Sequence, residues 1–255
     1  MSDILEELTA ARRRDAATRE AEIPFDEMMR RAAEAPAPRA FIENGIIAEL
    51  KRASPSEGMI REDFRPVELA KELVAAGAAA LSVLCEPHRF LGNEEYLRAV
   101  RAVVDVPILY KDFLSTRYQI AAARAAGADV VLLIAAVLDD PTLKDLLDFA
   151  HSLGLAALVE THNEEEIARA VQAGARIIGV NCRNLRNFST DVSLLESLVG
   201  RIPRSCLRVA ESGMHTAEAI RRAKSAGADG FLVGTALMRA ERPEEKLKEL
   251  LAGIR

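Results

Sequence analysis

The sequence has few of the residues that build covalent or metal-bound frameworks. It contains three cysteines, Cys85, Cys182 and Cys206, which are odd in number, widely separated and not arranged as CxxC. A disulfide framework or a zinc site is therefore not expected. No cluster of histidine and aspartate occurs and no GxGxxG follows an apolar run, so neither a metal nor any other cofactor is predicted. Free cysteines are typical of cytoplasmic proteins, and we predict that compartment.

Long apolar segments and a basic excess are also missing. The longest uninterrupted apolar run covers residues 130–138, far short of the ~20 residues that a membrane helix needs. Asp3, Glu6 and Glu7 stand where the apolar part of a signal peptide would begin. The formal net charge is −5, so an anionic ligand would need a local positive site. We expect neither a membrane nor a nucleic acid as partner.

Short apolar runs alternate with helical patterns along the whole chain. Four runs follow the glycines Gly77, Gly127, Gly174 and Gly227, which recur at intervals of 50, 47 and 53 residues. Glycine suits the left-handed position that ends a helix, and each interval holds two strand–helix units of ~25 residues. Eight units predict an α/β fold, a (β/α)8 TIM barrel, with a doubly wound open sheet as the alternative. The runs cover residues 46–50, 79–84, 107–110, 130–134, 156–159, 177–180, 207–210 and 230–233.

Residues 1–45 precede the first predicted strand. A helix is predicted over residues 3–19, and a second short helix is predicted to start at Pro24. This segment has too few apolar residues for a core of its own. We expect a helical extension over 1–45 that packs on a barrel over 46–255, with one domain overall.

The N-terminal segment also carries three consecutive arginines, Arg12 to Arg14. A basic triplet can indicate nucleic-acid binding, but Glu20 and Glu22 follow closely. We therefore interpret the triplet as a solvated helix face.

Polar or glycine residues follow all but one of the apolar runs, and parallel barrels place their active sites at these strand ends. Side chains alternate along a strand, so Glu49 and Lys51 point the same way. If Leu50 faces the helices, both point into the barrel. A buried carboxylate and ammonium perturb each other's pKa, which suits acid–base chemistry, although the spacing fits a structural ion pair equally well.

Further chemically active side chains end the third, fifth and sixth runs. Lys111 and Glu160 follow apolar residues, and a lysine inside a barrel needs a partner or a task. A surface lysine and a helix-capping carboxylate are the simpler alternatives. Asn181 and Arg183 share a face and can bind a carboxylate or an enol oxygen. His162 stands without a cluster and is interpreted as structural.

Glycine-containing loops follow the last two runs. Glu211, Ser212 and Gly213 follow the seventh run, whereas Gly234 and Thr235 follow the eighth and open a short helix. Barrels often bind phosphate on the backbone amides of these two loops, and glycine permits the close approach. Together with the cations at the other strand ends, this site predicts an anionic, phosphorylated substrate and proton transfers.

The motifs at these strand ends resemble those of the indole-3-glycerol phosphate synthase family. They are IIAELKRASPSEG, KDF at Lys111, LVETHNEEE, GVNCRNL, ESG at Glu211 and FLVGTALMR, and the resemblance runs nearly end to end. It implies a carboxy-lyase of tryptophan biosynthesis that closes the pyrrole ring of 1-(2-carboxyphenylamino)-1-deoxyribulose 5-phosphate. A small phosphorylated substrate is the implied partner, and a monomer or weak homodimer is the expected assembly.

The resemblance also implies roles for individual residues. Lys111 is the implied general acid at the ketone oxygen, and Glu160 is its acid–base partner. The other implied catalytic residues are Glu49, Lys51, Asn181 and Ser212. The implied substrate-binding residues are Ser54, Phe90, Arg183 and Glu211, and the implied phosphate-binding residues are Gly213, Gly234 and Thr235.

The sequence departs from the family's common pattern at three positions. Cys85 stands where threonine is usual, Tyr110 where arginine is frequent, and Thr235 where serine is frequent. No implied catalytic group is lost, so activity is expected. The sequence leaves the substrate affinity and the shape of the pocket near Cys85 open.

Three rival functions fit a barrel with these strand ends. One is phosphoribosylanthranilate isomerase, which would pair a cysteine with an aspartate at neighbouring strand ends. Another is a Schiff-base aldolase with Lys51 or Lys111 as nucleophile. The third is a barrel that binds phosphate esters without turnover.

Overall fold

The computed structural model describes residues 4–41, 44–182 and 192–254, with the side chains of 192 and 193 left out. Its strands are β1 Gly45–Leu50, β2 Ala53–Ser54, β3 Gly58–Met59, β4 Ala80–Leu84, β5 Ile108–Lys111, β6 Val130–Ile134, β7 Ala156–Thr161, β8 Ile177–Asn181, β9 Leu207–Glu211 and β10 Gly230–Val233. Its helices are α1 Ile4–Glu22, α2 Phe25–Glu34, α3 Pro66–Ala75, α4 Glu94–Arg101, α5 Arg117–Ala125, α6 Asp140–Ser152, α7 Glu164–Ala173, α8 Val192–Val199, α9 Ala217–Ser225, α10 Thr235–Met238 and α11 Pro243–Leu251, with a 3-10 turn at Ala135–Val137.

Eight parallel strands close into a barrel in the order β1, β10, β9, β8, β7, β6, β5, β4. Closure pairs the first strand with the last, with Gly45 opposite Gly230 and Ala48 opposite Val233. The strands β2 and β3 form a small antiparallel hairpin in the loop after β1. The (β/α)8 prediction is confirmed, and the open-sheet alternative is wrong because no barrel strand is left as an edge.

The strands match the eight predicted runs, but four of them extend into the polar residues. Lys111, Asn181 and Glu211 are the last residues of their strands, and β7 continues through Glu160 to Thr161. These side chains therefore start from hydrogen-bonded strand backbone rather than from loops, and their directions are set by the barrel.

Left-handed glycines connect helices to strands at the four recurring positions. The φ angles are 109° at Gly77, 92° at Gly127, 91° at Gly174 and 107° at Gly227. Each of them follows a helix, as the recurring pattern predicts. Glycine is favoured at these positions because a Cβ in this conformation would clash with the backbone.

The apolar residues form an inner and an outer layer. Inward residues such as Ile47, Leu132 and Leu158 form the barrel interior, and the α1 residues Leu5 and Leu8 belong to the same cluster. The outer layer lies between the strands and the surrounding helices. Helix α1 thus closes one end of the barrel interior with apolar side chains.

Helix α1 is also tied to the barrel by an ion pair that contradicts the prediction of a solvated arginine face. Arg12 Nη2 lies 2.7 Å from Asp112 Oδ2, and Arg12 Nε donates to both carboxylate oxygens at 3.0 Å. Arg13 Nε donates to Ser115 Oγ at 3.3 Å. The interpretation is wrong for Arg12, because Asp112 is fully buried beneath the helix and needs a cation, whereas Arg13 and Arg14 are exposed as predicted. Within the described ranges, no helix has the length and apolar character to cross a bilayer.

Candidate active site

A pocket opens at the carboxyl ends of the barrel strands, beneath helix α1. It encloses about 1050 Å³, counting its open mouth, which is large enough for a small-molecule ligand. Every predicted site residue within the described ranges lines it, whereas Arg183 lies outside those ranges. These lining residues are Glu49, Lys51, Ser54, Phe90, Lys111, Glu160, Asn181, Glu211, Ser212, Gly213, Gly234 and Thr235.

Lys111 lies at the floor of the pocket between two carboxylates. Its Nζ lies 3.1 Å from Glu160 Oε2 and 3.7 Å from Glu211 Oε2. The Lys111 side chain is 15% exposed, so the alternative of a surface lysine is wrong. Strands β5, β7 and β9 bring these three groups together although they are not adjacent in the sequence.

The ionisation states of this cluster follow from burial and charge. Burial alone lowers the pKa of Lys111, but three neighbouring carboxylates outweigh it and raise that pKa; they belong to Glu160, Glu211 and Glu49. Burial opposes ionisation of Glu160, but the Lys111 ammonium holds its pKa well below the usual range. Burial and the charge of Glu160 raise the pKa of Glu211 well above its usual range. The cluster thus pairs the Lys111 ammonium with the Glu160 carboxylate, beside a Glu211 side chain that holds its proton more tightly than usual.

A second ion pair lies at the end of β1. Lys51 Nζ is 2.7 Å from Glu49 Oε1, and both side chains point into the pocket as the strand alternation predicts. Burial raises the pKa of Glu49, but Lys51 and Lys111 outweigh it and lower that pKa. Gly234 packs against this pair, and a Cβ there would overlap Glu49 Oε1.

A hydrogen-bonded chain connects the loop after β9 to Glu160. Ser212 Oγ donates to Asn181 Oδ1 at 2.7 Å, and Asn181 Nδ2 donates to Glu160 Oε1 at 3.1 Å. Ser212 adopts a left-handed conformation with φ of 64°, which is unusual for a residue with a Cβ. Such strain is typical of functional sites, and here it directs the hydroxyl toward Asn181.

The loop that carries Phe90 is held by a residue that the sequence did not single out for a role. Glu86 is fully buried and accepts hydrogen bonds from the backbone amides of His88, Arg89 and Phe90 at 2.7 to 2.8 Å. The Phe90 ring lies 6.2 Å from that of Phe113. Glu86 thereby fixes an aromatic wall of the pocket.

Helix α1 supplies the roof, which sequence reasoning also missed. Ile4, Leu5 and Leu8 line the pocket. The apolar stripe of α1 predicted a helix that packs on the barrel, but it carried no signal that the packing surface would be the site itself. The roof gives the pocket an apolar side that faces its charged floor.

His162 lies beside the cluster, although it does not line the pocket. Its Nε2 is 3.4 Å from Glu160 Oε1, and its Nδ1 is 3.0 Å from Glu166 Oε2. Burial lowers the pKa of His162, but the two carboxylates outweigh it and raise that pKa to about 10.

Two of the three unusual residues lie outside the pocket. Cys85 and Tyr110 are buried in the outer layer between strands and helices, whereas Thr235 lines the pocket. Burial raises the pKa of the Cys85 thiol well above its usual range. Cys85, which directly follows β4, therefore does not line the pocket, so its side chain does not form part of the pocket surface that the sequence left open. Among the described residues, no group of histidine, cysteine and carboxylate side chains has metal-binding geometry.

The fold and the site together define a (β/α)8-barrel enzyme whose pocket carries ion-paired lysines and glutamates at the strand ends. The family described as indole-3-glycerol phosphate synthase matches residues 5–250. The chain belongs to the indole-3-glycerol phosphate synthase family.

Relatives with the same description cover almost the whole chain. The protein from Campylobacter jejuni subsp. doylei is 44% identical over 257 aligned positions, which cover 97% of this chain and all of the relative. The protein from Micrococcus luteus is 45% identical over 98% of this chain and 97% of its own length.

Solved structures with low identity share the fold alone. Thiamine phosphate pyrophosphorylase from Pyrococcus furiosus has a TM-score of 0.62 at 19% identity, covering 83% of this chain and 95% of that one. Orotidine 5'-phosphate decarboxylase from Pyrococcus horikoshii has a TM-score of 0.63 at 17% identity, covering 82% and 99%.

Proposed function

We propose that the chain converts 1-(2-carboxyphenylamino)-1-deoxyribulose 5-phosphate into indole-3-glycerol phosphate, with release of carbon dioxide and water, as a step of tryptophan biosynthesis. Family membership supports the reaction. The observation that carries it is the buried Lys111 ammonium between Glu160 and Glu211 at the pocket floor.

Ring closure requires an acid at the ketone oxygen. The aromatic carbon that bears the carboxylate attacks the ketone carbon, and the oxygen takes a proton as the new bond forms. Lys111 is charged because three carboxylates raise its pKa, so it supplies that proton. Glu160 keeps the ammonium in place and stabilises positive charge on the anilino nitrogen. Loss of carbon dioxide then restores the aromatic ring.

Dehydration requires a second acid and a base. The new hydroxyl leaves as water while the neighbouring methylene carbon loses a proton, and the overall reaction takes up one proton. Glu49 and Lys51 form the second ion pair of the site and carry this step. Asn181, held by Ser212 Oγ, orients Glu160 and the substrate hydroxyls.

The two ends of the substrate fit different parts of the pocket. Gly213, Gly234 and Thr235 offer backbone amides and a hydroxyl to the phosphate, and Ser54 also lines the pocket. Phe90 and the apolar roof of α1 pack on the anthranilate ring. The raised pKa of Glu211 favours its uncharged form, which repels an anionic ligand less than a carboxylate does. Arg183 completes this proposal from outside the described ranges.

The rival reactions fit these groups less well. A Schiff-base nucleophile must be a neutral amine, but the pKa of Lys111 is raised by its carboxylate neighbours. The isomerase would use a strand-end cysteine, but Cys85 points away from the pocket and its thiol has a raised pKa. A barrel that only binds phosphate esters would not need the two buried pairs of lysine and glutamate in the pocket.

The organisation of the chain belongs to the same proposal. We place residues 1–45 and 46–255 in one domain, because α1 roofs the pocket and Arg12 is ion-paired to Asp112. We also propose a cytoplasmic protein that is a monomer or a weak homodimer.

The test is formation of the fluorescent indole product by the purified chain. Lys111→Met is expected to lower kcat by about 10²- to 10⁴-fold, the usual contribution of a general acid. Lys144→Met, an exposed lysine on α6 that pairs with Asp148, is the matched control and should retain full activity. A folded wild-type chain without turnover would disprove the function, whereas an active Lys111→Met would disprove only the assigned acid.

A further inference from the structure

His162 lies between Glu160 at the pocket floor and Glu166 on α7. It follows Glu160 by two residues and lies just before α7. Its side chain is 17% exposed. Nε2 is buried, has Glu160 Oε1 at 3.4 Å and makes no geometrically good hydrogen bond among the described residues.

The opposite edge of the ring is fixed by Glu166 in the first turn of α7. Glu166 Oε2 accepts from the His162 backbone amide at 2.8 Å and lies 3.0 Å from Nδ1. Glu166 Oε1 accepts from Asn163 Nδ2 at 2.8 Å, and Asn163 caps the helix. With a carboxylate oxygen facing each ring nitrogen, only an imidazolium offers a proton on both sides.

We propose that His162 is a positioning residue, an imidazolium that holds Glu160 Oε1 while Lys111 holds Oε2, and so keeps Glu160 ionised and oriented during turnover. This inference rests on the proposed function. Since His162 does not line the pocket, it acts on the reaction through Glu160 and not by touching the substrate.

The charged groups around Glu160 fix the direction of the effect. Lys111 on β5 and His162 after β7 favour its ionisation, whereas Glu211 on β9 opposes it if charged. On the side of the ring away from Glu160, the α7 carboxylate that raises the pKa of His162 is Glu166. Removal of His162 raises the pKa of Glu160, so the acidic limb of the kcat profile moves to higher pH.

The charge of His162 can be measured without turnover. In the wild-type chain, 15N NMR of the four histidines should show one imidazolium at pH 8 with both ring nitrogens protonated, and this signal should disappear in His162→Gln. Glu166→Gln should lower the pH at which the signal titrates. A neutral His162 ring at pH 8 would overturn the proposal.

The role in catalysis is tested by pH–rate profiles of the same proteins. His162→Gln should move the acidic limb of kcat up by about one pH unit and lower kcat about tenfold below that limb, with KM changed less than about threefold. Glu166→Gln should move the limb in the same direction by less. His151→Gln, a histidine near the end of α6, is the control and should match wild type.

The outcomes separate the two proposals. An active wild-type chain whose profile is unchanged in His162→Gln would overturn the role of His162 and leave the proposed function standing. An inactive wild-type chain would overturn the proposed function and the role in turnover together, while the NMR titration would still decide the charge of His162. If His162→Gln does not fold, Glu166→Gln and the wild-type NMR signal decide the question.

Discussion

The ion pair between Arg12 and Asp112 gives a quantitative prediction about how α1 is held over the pocket. Arg12→Gln removes the cation but leaves Asp112, whose side chain is fully buried. Loss of one partner of a buried pair costs about 3–5 kcal/mol. Asp112 keeps the Phe113 amide as a donor at 2.8 Å, and burial already raises the pKa of Asp112, so that it can take up a proton. We therefore expect a loss of about 2–3 kcal/mol in the free energy of unfolding.

The assay is urea unfolding followed by circular dichroism, with Arg14→Gln, an exposed neighbour in the same helix, as control. The control should lie within about 0.5 kcal/mol of wild type. The native state binds the Asp112 proton more tightly than the unfolded state, so its contribution to stability falls as pH rises between the two pKa values. Arg12 lowers the pKa of Asp112, so without Arg12 the pH range over which Asp112 loses its proton extends upward. The loss of unfolding free energy in Arg12→Gln should therefore be smaller at pH 5 than at pH 8. Equal stability of the two variants would refute the reasoning.

Two further predictions concern the walls of the pocket. Gly234→Ala should lower kcat about 10- to 100-fold in the indole fluorescence assay, because its Cβ would displace Glu49 Oε1. Gly230→Ala is the control and should stay active in the same assay, because the nearest atom to its Cβ would be Val209 Cγ2 at 3.6 Å, an ordinary contact. Leu8→Ala should lower the free energy of unfolding in urea by about 2–5 kcal/mol and raise KM, because Leu8 is 1% exposed and roofs the pocket. Val171→Ala changes an exposed residue on α7 and is the control. An unchanged KM in Leu8→Ala would contradict the role of the roof.

Local patterns predicted the fold and the positions of the strand ends. The alternation of side chains placed Glu49 and Lys51 on the inward face, and the recurring glycines located four helix–strand junctions. These predictions succeed because each depends on the conformation of a few neighbouring residues. The pairing of Lys111 with Glu160 depends instead on strands that are not adjacent along the chain, so the sequence could suggest that pair only by resemblance.

The features that the sequence did not reveal depend on contacts between distant parts of the chain. The nearby Glu20 and Glu22 indicated a solvated face for Arg12, because local sequence carries no information on Asp112, which lies 100 residues away. For His162 the sequence places glutamates two residues before it and four residues after it, but only the structure shows that both carboxylates face its ring. The stripe of Leu5 and Leu8 predicted packing, but only the tertiary structure shows that the packed surface is the roof of the site.

Closure of the barrel through β1 and β10 brings site residues from distant parts of the chain into contact. The strands that meet there stand near opposite ends of the polymer, so their pairing has the largest entropic cost of loop closure in the sheet. Glu49 and Gly234 come into contact only across that seam. A chain that lacks either strand therefore cannot form this part of the site.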